Sequence, residues 1–117
     1  MNNKLRILGF TDEHVQNIQR MFKPHVTWKS MLLISGQSGS GKSTTVKHIA
    51  EHLLSQSPNL NIIAVEYNPE YQIKGATQIQ VKSRPVYGDT IRGVADMDPD
   101  VLIVGEIRDR NTALAVI

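Results

Sequence analysis

The sequence predicts an α/β layered domain with a mostly parallel sheet and flanking helices. Short apolar runs alternate with segments of helical periodicity, the pattern that builds parallel sheets. One run, Met31-Leu32-Leu33-Ile34, leads into Gly36-Gln37-Ser38-Gly39-Ser40-Gly41-Lys42-Ser43 and then into a helix-like stretch. Two later runs close on acids, Glu66 and Glu106. Ligands of such sheets sit outside the carboxyl ends of the strands, so spacing alone predicts that the glycine loop, Glu66 and Glu106 share one edge.

Each element has its own local signal. Leu5 to Phe10 reads as a short strand or extended lead-in. Thr11 or Asp12 caps a helix with acids in its first turn, and Val15, Ile18, Met21 and Phe22 recur at helical spacing until Pro24 ends the pattern. His25 to Lys29 is a connector, with Trp28 just before the strand expected over 31–35. A helix follows over about 42–55, and Ser57-Pro58-Asn59 is a turn. Leu60 to Glu66 has the continuous apolar character of a strand buried on both faces. Tyr67 to Gly75 is irregular, Gln78 to Val81 alternates like an edge strand, and Tyr87 to Met97 is helical. Asp98-Pro99-Asp100 breaks that helix before a second buried strand at Val101 to Gly105. Asp109 or Asn111 caps a last helix running to Ile117.

The residues of the loop are the ones a phosphate site needs. Gly36, Gly39 and Gly41 allow tight turns that bring successive N–H groups near phosphate oxygens. The following helix adds the positive end of its dipole. Lys42 supplies a mobile charge, and the Ser43 hydroxyl can ligate Mg²⁺. A chance match to this pattern in a chain of this length is on the order of a per cent or less. Gly36 through Thr44 are therefore the candidate nucleotide-binding residues. Glu106, directly after an apolar strand, is the candidate acid for metal and attacking water. Glu70 lies in the loop beyond the preceding strand, where a loop acid can reach the nucleotide. Arg108 is expected to pair with Asp109, and Asp98 and Asp100 fit turn chemistry.

Composition excludes several classes. The 117 residues support one modest domain, and a net charge of +2 is too small to argue for nucleic acid or anionic lipid. Without cysteine there is no disulfide, thiolate metal site or cysteine nucleophile. Aromatic residues make up only 5%, leaving little for base stacking, and no direct nucleic-acid partner is expected. No apolar run approaches bilayer length, and the polar start leads into no signal-peptide core, which points to the cytoplasm.

From Leu8 to Val116 the chain resembles the secretion-superfamily ATPases, the motors of type II secretion, type IV pili, conjugation and type IV secretion. Gly36 to Thr45 (GQSGSGKSTT) is similar to that family's Walker A segment. Glu66 to Gln72 (EYNPEYQ) resembles its acidic box, E-D-P-x-E-Y-Q, and Asp98 to Thr112 (DPDVLIVGEIRDRNT) its Walker B region. The resemblance implies a RecA-like P-loop NTPase core using ATP and Mg²⁺. By position, Lys42 and Ser43 would bind phosphate and Mg²⁺, and Glu106 would position water and metal. Glu70 and Glu66 would be the acidic-box glutamates, and Arg92 the arginine of the helix before D-P-D.

Departures accompany the match. Tyr67 stands where the box has aspartate, Asn68 where it has proline, and Asp96 where a second arginine is common. The family's histidine box, its N-terminal domain and its C-terminal helices have no counterpart in these residues; His14, His25, His48 and His52 all precede the second acidic motif. The resemblance therefore implies an incomplete core, with 1–29 as lead-in and helix and 30–117 as nucleotide-binding core, and little turnover from this piece alone. It also implies hexamers, inner-membrane platform proteins as partners, and a cytoplasmic, peripherally membrane-associated location. The alternative is a truncated, non-catalytic module that binds nucleotide or a motor subunit. A small phosphotransferase is disfavoured, because no arginine-rich lid is present.

Overall fold

The computed structural model describes residues 9–22, 31–37 and 39–117. Most of the Leu5–Phe10 lead-in, the His25–Lys29 connector with Trp28, and Ser38 lie outside them. The chain divides into two compact units, Met1–Pro58 and Asn59–Ile117.

In the first unit, α1 (Asp12–Met21) starts where its capping signal predicts. Thr11 Oγ1 accepts the His14 N–H and His14 Nδ1 accepts the Thr11 N–H, both at 3.2 Å, a capping box closed by histidine. Val15 and Ile18 are buried. α2 (Lys42–Gln56) buries Ile49, Ala50, His52 and Leu53 on one face. His52 is fully buried and hydrogen-bonded at 2.9 Å to Gln19 of α1, and burial pushes its pKa down.

The strand expected over 31–35 does not form; residues 31–37 carry no regular secondary structure, and Met31 and Leu33 are 57% and 71% exposed. An apolar run encodes a wish for burial, but a strand exists only when a neighbour supplies its ladder.

The second unit holds three parallel strands, β1 (Ile62–Glu66), β2 (Thr77–Gln80) and β3 (Val101–Val104), in the order β2-β1-β3. β1 is central, which explains its unbroken apolar run. β3 is half-buried rather than fully buried, because it borders the sheet. A 3₁₀ turn at Arg84–Val86 leads into α3 (Tyr87–Ala95), and α4 (Arg110–Val116) closes the chain. Ile63 and Val65 of β1 pack with Val81, Tyr87, Ile91 and Val94 to form the core. Gly88 permits the close approach of α3 and α4, since a Cβ there would lie 2.6 Å from Asn111 Nδ2 and 3.0 Å from its backbone carbon.

α3 ends two residues before the expected Met97. Met97 N–H bonds Val94 O at 2.9 Å and Asp98 N–H bonds Ala95 O at 3.3 Å, tightening the last turn, and Asp98 then enters the left-handed region at φ 57°. Asp100 Oδ2 accepts the Asn61 N–H at 2.7 Å, so this turn clamps the amino ends of β1 and β3, opposite their acidic ends. The described residues thus form an α/β protein with one parallel sheet and four helices. No described helix is long and apolar enough to cross a membrane.

Candidate functional site

The glycine loop of the first unit ends in an unusual helix start. Gly41, at φ 97°, is the N-cap of α2, and Gly39 is at φ 82°. Side chains with a Cβ avoid this region, so the turn selects glycine. Ser40 N–H bonds Gln37 O at 3.0 Å, and Thr45 N–H bonds Gly41 O at 2.9 Å to begin the helix. Gly41 offers no side chain to cap the first-turn N–H groups, and that turn contains no acid. The other two capped starts differ: α1 has its Thr11–His14 box and two acids, and α4 has Asp109. The positive end of the α2 dipole therefore meets neither a capping side chain at Gly41 nor a first-turn acid. The Lys42 ammonium donates to the Gly36 carbonyl, lying over the loop backbone. Gly36, Gln37, Ser40 and Ser43 are exposed, and Lys42 and Thr44 are half-buried.

In the second unit Glu66 and Glu106 stand at the carboxyl ends of neighbouring strands, as their spacing predicts. The backbone continues the ladder past β3, with Gly105 N–H donating to Val65 O at 3.0 Å. Tyr87, only 2% exposed, reaches the same point: its hydroxyl donates to Val65 O and accepts from Gly105 N–H at 3.0 Å. Burial pushes its phenol pKa up.

Glu66 borders an open groove of about 360 Å³ lined also by Pro69, Glu70, Tyr71, Gln78 and Ile79. Burial raises the Glu66 pKa, a hydrogen bond from Gln78 opposes the rise, and the Glu70 charge adds to it. Gln78 is the organiser of this loop. Its amide donates to Tyr71 O at 2.8 Å and to Glu66 Oε2 at 3.4 Å, and its carbonyl accepts from Ile73 N–H at 2.9 Å. Glu70 itself is exposed. A carboxyl that holds its proton above the ordinary range is suited to proton transfer.

Glu106 is held by two arginines. Arg84 Nε lies 3.5 Å from Oε1 and Arg108 Nε 2.9 Å from Oε2. The expected Arg108–Asp109 pair is not what forms. Asp109 instead caps α4, its Oδ1 accepting the Thr112 N–H at 2.7 Å, and this hydrogen bond holds its pKa down. A carboxylate at a helix start is drawn to the free N–H groups there, which leaves Arg108 to Glu106. Arg92 lies across the α3–α4 contact: Nη1 donates to Asn111 Oδ1 at 2.7 Å and to Asp89 Oδ1 at 3.1 Å.

Sequence reasoning missed Arg84, Tyr87 and Gln78. Arg84 precedes Pro85 in what reads as a connector, and nothing local marks its reach to Glu106. Tyr87 does carry a signal, a hydroxyl on the apolar face of a helix that has to find a partner when buried. Among the described residues no group of three His, Cys, Asp or Glu side chains could hold a metal ion. Mg²⁺ commonly needs no such cluster, since one or two carboxylates together with waters and phosphate oxygens suffice for it.

The sequence family described as "Type II/IV secretion system protein" matches residues 1–117. The chain belongs to the type II/IV secretion system protein family. It is 39% identical over 112 residues to the type II secretion system ATPase E of Vibrio cholerae, covering 93% of this chain and 21% of that protein. It is 35% identical over 109 residues to the type II secretion system protein E of Xanthomonas campestris, covering 91% of this chain and 18% of that protein. The chain thus spans about a fifth of the length of these relatives. Within this secretion family it carries the strand-end acids and the glycine loop in separate compact units of the described structure.

Proposed function

We propose that this chain supplies the nucleotide-binding core of an ATP-driven secretion motor, with residues 30–117 as a RecA-like P-loop core. The acid-free start of α2 after Gly39 and Gly41 carries this reading, because the positive end of a helix dipole behind a glycine turn suits a bound phosphate. ATP is the substrate. Residues Gly36–Thr44 bind its phosphates, including Gln37, Ser38 and Ser40, and Lys42 adds positive charge. Ser43 and Glu106 would hold Mg²⁺, which would neutralise phosphate charge. Glu106 also orients the attacking water. Glu66 and Glu70 hold and move its proton, and Arg92 contributes positive charge. The same reading makes copies of this protein hexameric partners and puts them in the cytoplasm against inner-membrane platform proteins.

The test measures binding and turnover separately. The 117-residue chain should bind a fluorescent ATP analogue, and a protein of the relatives' full length bearing these residues should hydrolyse ATP. Failure of the chain to bind rejects the phosphate-loop role.

A second reading, nucleotide binding without turnover, is favoured by the two arginines on Glu106, since a carboxylate engaged on both oxygens is a poorer partner for water. ATP binding with no phosphate release from the full-length protein would establish it.

A further inference from the structure

Position 67 is the place where this chain departs most visibly from the acidic box, carrying a tyrosine instead of an acid. The structure gives the tyrosine a contact of its own. The Arg84 guanidinium carbon lies 4.7 Å from the centroid of the Tyr67 ring, within the range of a cation–π contact. The same guanidinium reaches Glu106 Oε1 through Nε at 3.5 Å. The Arg84 side chain is 48% exposed, so neither contact fixes it by burial. An exposed ion pair of this kind is weak and its geometry loose. A second, independent contact on the ring narrows the orientations open to the guanidinium. Arg108 holds Oε2 from its own side at 2.9 Å.

We infer that Tyr67 and Arg84 are positioning residues for Glu106: the ring seats the guanidinium, and the guanidinium sets the orientation of the carboxylate. This inference rests on Glu106 acting on the attacking water. It gives position 67 a purpose that its replacement of an acid otherwise lacks. An aspartate there would attract Arg84 as a competing carboxylate; a neutral ring holds the arginine while leaving its charge for Glu106. The 3₁₀ turn that carries Arg84 contributes to the placement, because Pro85 fixes the backbone next to it.

The experiment is steady-state ATP hydrolysis by a protein of the relatives' full length bearing these residues, with Tyr67→Phe, Tyr67→Leu, Arg84→Gln, the Tyr67→Leu/Arg84→Gln double variant and Glu106→Gln. A cation–π contact at an exposed site corresponds to roughly a two- to fivefold effect. Tyr67→Leu should lower kcat by about threefold at unchanged KM, and Tyr67→Phe, which keeps the ring face, should retain the parent rate. Arg84→Gln should lower kcat as well, and adding Tyr67→Leu to it should change nothing further, because the ring then has no cation to seat. Equal rates for Tyr67→Leu and the parent, or losses that multiply in the double variant, overturn the inference. Glu106→Gln separates the two levels: a parent rate there overturns the role of Glu106 itself, whereas a slow Glu106→Gln beside a fast Tyr67→Leu overturns only the positioning role. Arg84→Gln keeps the test available should Tyr67→Leu fold poorly.

Discussion

The Tyr87 hydroxyl accepts the Gly105 N–H at 3.0 Å while donating to the carbonyl of Val65. The first residue of α3 thereby joins the carboxyl ends of β1 and β3 at the step before Glu66 and Glu106. A side chain buried in the core thus sets the spacing of the two acids.

Tyr87→Phe tests how firmly. The ring still fills the core, and Gly105 N–H keeps its bond to Val65 O at 3.0 Å, so neither backbone group is orphaned. The loss should fall near the lower end of the hydrogen-bond range, about 1 kcal/mol. Urea unfolding should show a lower midpoint with an unchanged slope. A loss above roughly 3 kcal/mol would mean that the hydroxyl supports more than these two groups.

Gly88→Ala places a methyl group 3.0 Å from the Asn111 backbone carbon. Alanine gains up to about 1 kcal/mol of helix propensity over glycine. Overpacking against backbone costs about 1–3 kcal/mol. The clash should win, and thermal melting should shift downward. A raised melting temperature would show that α4 moves away from α3 at little cost.

Lys42→Ala should abolish binding of a fluorescent ATP analogue while the far-ultraviolet circular dichroism stays that of the parent. The ammonium donates to the Gly36 carbonyl of an exposed loop, so its removal opens no core cavity. Unchanged affinity would remove Lys42 from the phosphate site.

Glu106→Gln, in a protein of the relatives' full length, should bind ATP at parent affinity and release phosphate at least about a hundredfold more slowly, the range for a water-orienting or general-base group. Rapid turnover would move that role to Glu70.

Glu66 gives a pH signature. Its pKa is raised above 4.5 by burial, so the folded state prefers the neutral acid more than the unfolded chain does. The resulting stabilisation is fully present below pH 4.5 and is lost as pH rises through the folded value. Glu66→Gln mimics the neutral acid at every pH. Relative to the parent, it should be more stable at neutral pH, and the difference should shrink as the parent is acidified. Parallel urea midpoints for the two proteins from pH 4 to 7 would contradict the raised pKa.

Local patterns in the sequence were enough to determine the starts of α1 and α4, the central strand with its unbroken apolar run, the edge position of β2, and the acids at the strand ends. Thr11, Asp109 and Gly41 act on groups a few residues away, and such signals are written into neighbouring positions. Tertiary structure alone decided the rest. Met31–Ser35 reads as a strand yet lacks a ladder, because pairing depends on which distant segment is adjacent. Arg108 turned from Asp109 to Glu106 once a helix start claimed the aspartate. Arg84, Tyr87 and Gln78 act across 22, 18 and 12 residues on Glu106, Gly105 and Glu66, separations at which only the folded chain brings partners together.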